Sequence, residues 1–308
     1  MDAPRATHRR YGWAALWVLV PAMSFAQQNP GLTVRPSGQT LDGPPAEEQL
    51  VDLSRPERQQ TTLAPATAES DYFEAAMRGE AWAQTKLGKI YVTATDDPER
   101  QRKGIELLQR AAAQKDAEAV YLLANLATAG IGEQTSSIAA LQKLQEAARL
   151  GSADAQYELA SIYAEGWGVE KDTAQAEMWA RKAAMQGHHR AQFMAGRVLL
   201  ENGENSQKTE AMQFLQAAAD AGNIDSVLFL ASSVGNGRFG LQKDEARAEA
   251  LLKPWAEKGN ADCQFVLAAL YKFGDSYADR REEAYEWMQR AASQGHGRAI
   301  EILAAEQK

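Results

Sequence analysis

Few side chains in this 308-residue sequence could carry chemistry by type and spacing. His188-His189 is the one adjacent pair that suggests metal binding, and His296 stands at the same repeat position as His188. Adjacent residues at a helix start point in different directions, and no further His or Cys stands at ligand spacing. A turn role is therefore the better reading for both histidine positions. Cys263 is the sole cysteine, which excludes an intramolecular disulfide and a cysteine-based zinc site. It occupies a place held elsewhere by Ala or Ser, and no His follows it before His296, so a packed core thiol is expected rather than a nucleophile. The turn Gly166-Trp167-Gly168-Val169 resembles a phosphate loop only superficially, lacking both the Lys-Ser/Thr continuation and a preceding strand. General acid–base catalysis needs convergent carboxylates in a shielded cleft, whereas the acids here are scattered. The expectation is no catalytic residue, no cofactor and no metal.

Aromatic side chains offer binding chemistry instead. Tyr121, Tyr157, Phe193 and Phe265 recur six residues after the start of successive segments. Such a ladder could grip a peptide or stack on sugar rings, but packing between neighbouring repeats is the favoured reading. Trp167, in a Gly turn expected to be exposed, is the better surface anchor.

The elements that must position these residues are repeats. Segments beginning at Gly79, Lys115, Gly151, Gly187, Gly222, Gly259 and Gly295 align, with starts 36, 36, 36, 35, 37 and 36 residues apart. Such a period marks a stacked repeat architecture. Four residues after each start comes a small side chain: Ala83, Ala119, Ala155, Ala191, Ser226, Cys263 or Ala299. Leu87, Leu123, Leu159, Ala195, Leu230, Leu267 and Leu303 follow four residues later. The next step of four brings Tyr91, Ala127, Tyr163, Leu199, Val234 and Tyr271. Spacing by four places all three on one face of a helix that each segment opens.

A Gly-containing turn follows, and second helices start after Asp97-Pro98 and after Asp172, with Gln175 three residues on. The second helices end in small pairs such as Ala111-Ala112 and Ala183-Ala184. Trp255-Ala256 departs from that pattern, and Pro254 should kink its helix. The fold expected is all-α: a right-handed α/α solenoid of six helix pairs (79–114, 115–150, 151–186, 187–221, 222–258, 259–294) with a helix at either end. Stacking is what buries a stripe that one pair cannot cover alone. The solenoid is assigned to residues 69–308, and 295–308 reads as a C-terminal capping helix ending in Glu306-Gln307-Lys308.

Residues 1–26 read as a signal peptide. Arg5, His8, Arg9 and Arg10 form the basic start, Trp13 to Met23 the apolar run, and Ser24-Phe25-Ala26 the cleavage site. The alternative is an uncleaved membrane anchor, against which the run is shorter than the ~20 residues that span a bilayer; no cysteine follows it for lipidation. Residues 27–68 hold six of the ten prolines and no periodic apolar pattern, so a flexible linker is expected. The net charge of -8, or -10 once residues 1–26 are removed, leaves no basic excess for nucleic acid. Localisation is therefore expected to be periplasmic or secreted.

The repeats resemble the SEL-one-like repeat family, relatives of tetratricopeptide repeats. The third carries the pattern most fully: Ala153-Asp154-Ala155-Gln156, Leu159-Ala160, Tyr163, Gly166-Trp167-Gly168-Val169, Asp172, Ala176, Trp179, Lys182-Ala183-Ala184 and Gln186-Gly187. The first repeat (Thr93 to Asp97) and the fourth (Asn202-Gly203-Glu204-Asn205) lack the Gly-x-Gly turn, so their loops should differ in shape. Disulfide-stapled members linked to β-lactams are not a guide here, since paired cysteines are absent. The resemblance implies assembly: a non-catalytic scaffold or adaptor that binds a protein partner in the bacterial envelope. Tetratricopeptide-like stacking would place the first helices on a concave face. Two polar rows could then read a partner: Lys89, Asn125, Ser161, Arg197 and Ser232, and Glu118, Asp154, Arg190, Asp225 and Asp262. Their irregular chemistry suits a protein better than a repeating polymer. Seven Trp and nine Tyr keep carbohydrate, polysaccharide or peptidoglycan, as the alternative partner.

Overall fold

A computed structural model describes residues 65–93, 97–131 and 137–306. The expected signal peptide, the linker up to residue 64 and the turn glycine Gly132 lie outside the described residues. Among the described residues the structure is helical, with no strand, and divides after Gln186 into two compact units. The first unit contains α1 (Pro65–Met77), α2 (Ala81–Val92), α3 (Pro98–Ala113), α4 (Ala117–Thr128), α5 (Ser137–Arg149), α6 (Ala153–Glu165) and α7 (Thr173–Met185). The second contains α8 (His189–Asn202), α9 (Lys208–Asp220), α10 (Ile224–Gly235), α11 (Glu245–Glu257), α12 (Ala261–Phe273), α13 (Arg281–Ser293) and α14 (Gly297–Glu306). In chain order these are six helix pairs flanked by α1 and α14. Each pair packs against itself and against the next pair in its own unit.

The repeat stripe is the core. All seven small residues, from Ala83 to Ala299, are 0% exposed. Within a unit that is why they are small: a larger side chain would hold the preceding second helix away, as Ala119 shows beside Leu108 and Ala111. Leu87, Leu159, Leu230 and Leu267 are fully buried beside them. Ser226 keeps its place by donating its hydroxyl to the Leu215 carbonyl at 2.6 Å, which satisfies a group that would otherwise be costly to bury.

Two expectations need correction. The glycine opening each segment does not start the first helix but ends the preceding second helix, with φ between +83° and +103° at Gly79, Gly151, Gly187, Gly222, Gly259 and Gly295. Left-handed backbone there lets the amides beyond the helix return to its last carbonyls, as Gly79 N–H does to Ala76 and Glu80 N–H to Ala75. Lys115 takes the same conformation at φ +64° without glycine's freedom. The second correction is that α1 begins at Pro65, inside the segment read as linker. Proline suits a first helical position because its missing N–H has no partner to lose. At Pro254 the backbone stays helical to Glu257; the proline leaves the Ala250 carbonyl without its usual donor.

Candidate functional site

The first helices present the candidate surface, and their starts are fixed locally. The residue after each segment-opening left-handed glycine, or after Lys115, is the N-cap. Asp116, Ser152, Asn223 and Asn260 accept the amides of Ala119, Ala155, Ser226 and Cys263. His188 and His296 do the same through Nδ1, accepting from Ala191 at 3.1 Å and Ala299 at 3.2 Å. The histidines thus cap helices. His188 and His189 rings stack 5.8 Å apart, and the described residues hold no group of three or more His, Cys, Asp or Glu side chains placed to hold a metal.

Of the two polar rows, one is presented throughout and the other only in part. Asp154, Arg190, Asp225 and Asp262 are exposed, and Glu118 is half-buried. Burial alone would raise the Glu118 carboxyl, but Lys86 at 2.7 Å and Lys89 at 3.3 Å outweigh it and hold it below the usual carboxylate range. Lys89 is exposed while Asn125 and Arg197 are half-buried, with Arg197 lying 3.9 Å from Glu201. Ser161 and Ser232 are buried, contrary to the expected readout role. Each turns its hydroxyl back onto its own helix, to the carbonyls of Tyr157 at 3.1 Å and Phe229 at 2.9 Å. Trp167 is half-buried rather than freely exposed.

The aromatic ladder joins neighbouring first helices. Tyr121 donates to Glu158 at 2.6 Å, and burial together with that carboxylate pushes its hydroxyl above the ordinary tyrosine range. Phe193 meets Phe229 edge-on at 6.2 Å, and Phe265 stacks on His296 at 4.4 Å. Cys263 is buried, and burial with the nearby Asp262 carboxylate pushes its thiol up to about 12. It is a core thiol with almost no thiolate at neutral pH.

Two features escaped the sequence reading. The first is a glutamine relay. Gln84, Gln156 and Gln264 donate to the Ala76, Ala148 and Ala256 carbonyls of the preceding second helix. Each also accepts from the glutamine that ends its own pair, Gln114, Gln186 or Gln294, at 2.7–3.0 Å. Glutamine recurring one place after the small residue was the available signal. The second feature is an ionic cluster in the second unit. Glu245 accepts from the backbone of Asp275 at 3.0 Å and Ser276 at 2.8 Å, with Lys243 2.8 Å away. Burial opposes ionisation of Glu245, yet these partners prevail and lower its pKa to about 2. Glu249 accepts from Tyr271 at 2.7 Å, Tyr277 at 2.8 Å and Arg280 at 3.0 Å. Burial is again outweighed there, and the carboxyl stays below its usual range. The Arg280 guanidinium lies over the Tyr271 ring at 3.9 Å and also binds Glu283. These carboxylates are ionised and committed to donors, an arrangement that fixes a turn and holds no proton ready for transfer.

A profile of the Sel1 repeat matches residues 83–116, 153–188, 189–223, 225–260 and 261–296. Over 81 residues the chain is 33% identical to rat protein sel-1 homolog 2, a stretch covering 26% of this chain and 12% of that protein. Among solved structures it resembles a protective antigen present in uropathogenic Escherichia coli strains that displays an SLR fold. That match has a TM-score of 0.64 at 26% identity and covers 76% of this chain and 50% of the antigen. A Sel1 repeat protein from Oxalobacter formigenes matches with a TM-score of 0.55 at 25% identity, covering 76% of this chain and 68% of that one. The chain thus spans half the antigen and a small part of the rat protein.

Proposed function

The chain belongs to the Sel1 repeat family, and from that premise we propose that it is an exported, non-catalytic scaffold that binds a protein partner in the bacterial cell envelope. The fold is typical of protein–protein interaction scaffolds. The observation that carries the reading is the exposure of Arg190, Asp225 and Asp262 at one register position on three first helices of the second unit. Asp154 holds that position on α6 in the first unit. One positive charge, Arg190, stands among the negative Asp154, Asp225 and Asp262, a mixed pattern that suits the irregular surface of a folded partner. Such charges tune encounter and selectivity more than raw affinity. Export rests on the basic start, apolar run and small-residue site within residues 1–26.

Glycan binding at the repeated tryptophans of the second helices would need open ring faces. Lys182, Lys258 and Arg290 instead lie 4.8, 4.3 and 4.5 Å over Trp179, Trp255 and Trp287, so a sugar ring would have to displace a cation first. The test is affinity capture from native envelope extract with crosslinking mass spectrometry, repeated with Arg190→Glu and Arg197→Glu combined. A reproducible partner crosslinked to the first helices, and weakened about tenfold by the double reversal, is the expected result. Capture unchanged by the reversal would place the binding surface elsewhere. A tryptophan-fluorescence response to peptidoglycan fragments with no protein captured would replace the reading with the glycan one.

A further inference from the structure

The N-terminal edge of the first unit breaks the surface pattern of the repeats. Trp82 is 43% exposed at the register where the other six segments carry Glu118, Asp154, Arg190, Asp225, Asp262 and Arg298. Phe73 is 49% exposed where the second helices carry Gln109, Gln145, Arg181, Gln216, Lys253 and Gln289. Met77, one turn beyond Phe73 on the same face of α1, is 69% exposed. Trp82 meets Tyr72 edge-on at 6.0 Å, which ties α2 to the start of this patch. Two aromatics at positions otherwise held by charge or amide form an exposed apolar patch of the kind that marks an interaction site.

Reach points to an occupant from the same chain. The chain enters α1 at Pro65, and α1 is 13 residues long, so Met77 lies about 18 Å along the helix from that entry. The tightest aliphatic group within residues 27–64, which lie outside the described residues, is Leu50-Val51-Asp52-Leu53, followed by Arg55 and Arg58. Eleven residues separate Leu53 from Pro65, enough extended chain to cover about 40 Å. The exposed carboxylates of Asp71 and Glu74 flank Phe73 in sequence and offer partners to Arg55 and Arg58, while Asp52 and Glu57 leave residues 50–58 with no net charge, so reach and apolar match carry the assignment. A second copy adding its own helix pair fits less well. Asp71 stands where the other second helices place Leu107, Lys143, Trp179, Phe214, Leu251 and Trp287, mostly apolar side chains, so this edge is polar where stacking needs apolar surface.

We propose that residues 50–58 dock on the α1–α2 edge of the same molecule, with Leu50, Val51 and Leu53 against Phe73, Met77 and Trp82, and Arg55 and Arg58 toward Asp71 and Glu74. A tether this short keeps the segment at an effective concentration on the order of millimolar beside the patch. A contact with a Kd well below that concentration is then largely formed.

The test places a photo-crosslinking residue at Met77 in the full chain, with isotopically heavy and light copies mixed before irradiation. Crosslinks to residues 46–60 without heavy–light pairs are expected. Combining Leu50→Asp, Val51→Asp and Leu53→Asp should reduce them at least tenfold while the far-ultraviolet circular dichroism of the helices is unchanged. Heavy–light crosslinks would show that a second copy covers the patch and would overturn the proposal. So would crosslinks confined to other segments, an absence of crosslinks, or crosslinks that survive the triple substitution.

Discussion

The third and sixth helix pairs make the same turn by different means. Between α6 and α7, Gly166 at φ +77° and Gly168 at φ +70° reverse the chain locally, and Asp172 N–H returns to the Tyr163 carbonyl. Between α12 and α13 that glycine pair is absent. Gly274 has an ordinary φ of −69°, and residues Asp275–Tyr277 form a short 3-10 turn. There, Glu245 and Glu249 reach over from α11, one repeat earlier, and hold the turn through backbone amides, two tyrosines and Arg280. Backbone conformation suffices for one turn, whereas the other depends on side chains about 30 residues away in sequence. A repeat can therefore lose its signature turn when its neighbour supplies the missing hydrogen bonds.

The largest effect should come from removing that neighbour. Glu245→Ala leaves the part-buried amides of Asp275 and Ser276 without their acceptor, and Lys243 with Asp275 alone; it should cost about 3 kcal/mol, read by urea unfolding and by faster hydrogen exchange in α12 and α13. Because the folded-state pKa of Glu245 lies near 2, below the ~4.3 of an unfolded glutamate, its contribution is complete above about pH 4.3. It fades as pH falls toward 2. The stability gap between wild type and Glu245→Ala should close over that window, and a gap independent of pH would mean the carboxylate charge is not what holds the turn.

Glycine substitutions sharpen the contrast. At Gly274 an added Cβ would stand 2.5 Å from the Leu270 carbonyl oxygen, so Gly274→Ala and Gly274→Asn should both cost about 2 kcal/mol. At Gly166 the difficulty is conformational. Gly166→Ala should cost about 1–2 kcal/mol, and Gly166→Asn less, because asparagine enters the left-handed region more readily. Equal costs for Ala and Asn at Gly166 would remove the distinction between the two turns. The glutamine relay, present in both pairs, is the internal control. Gln156→Leu and Gln264→Leu should each cost about 1–2 kcal/mol, and a marked inequality would mean the relay depends on the turn above it.

Smallest of all should be Cys263→Ala, which gives the sixth repeat the residue Ala155 already supplies to the third. A loss of at most about 1 kcal/mol is expected. With its thiol pushed up to about 12, native Cys263 should resist thiol reagents at pH 8, and rapid labelling would contradict its burial.

The sequence by itself determined the helix pairs, their period and the buried stripe, because close packing of helices constrains each repeat in the same way. Seven small residues four places after each start are the local trace of that shared constraint, and all seven are buried. Capping at Asp97 and Asp172 was legible for the same reason: an N-cap needs only its own next turn, as the bonds to Arg100 and Gln175 show. The tertiary structure alone decided which polar residues face solvent. Ser161 and Ser232 share a register with Lys89, yet a short hydroxyl can satisfy itself on its own helix and go under, whereas an ammonium cannot. It also decided that Glu245, Glu249 and Arg280 belong together, because their convergence depends on how α11, α12 and α13 pack, and no local spacing records a contact across a repeat boundary.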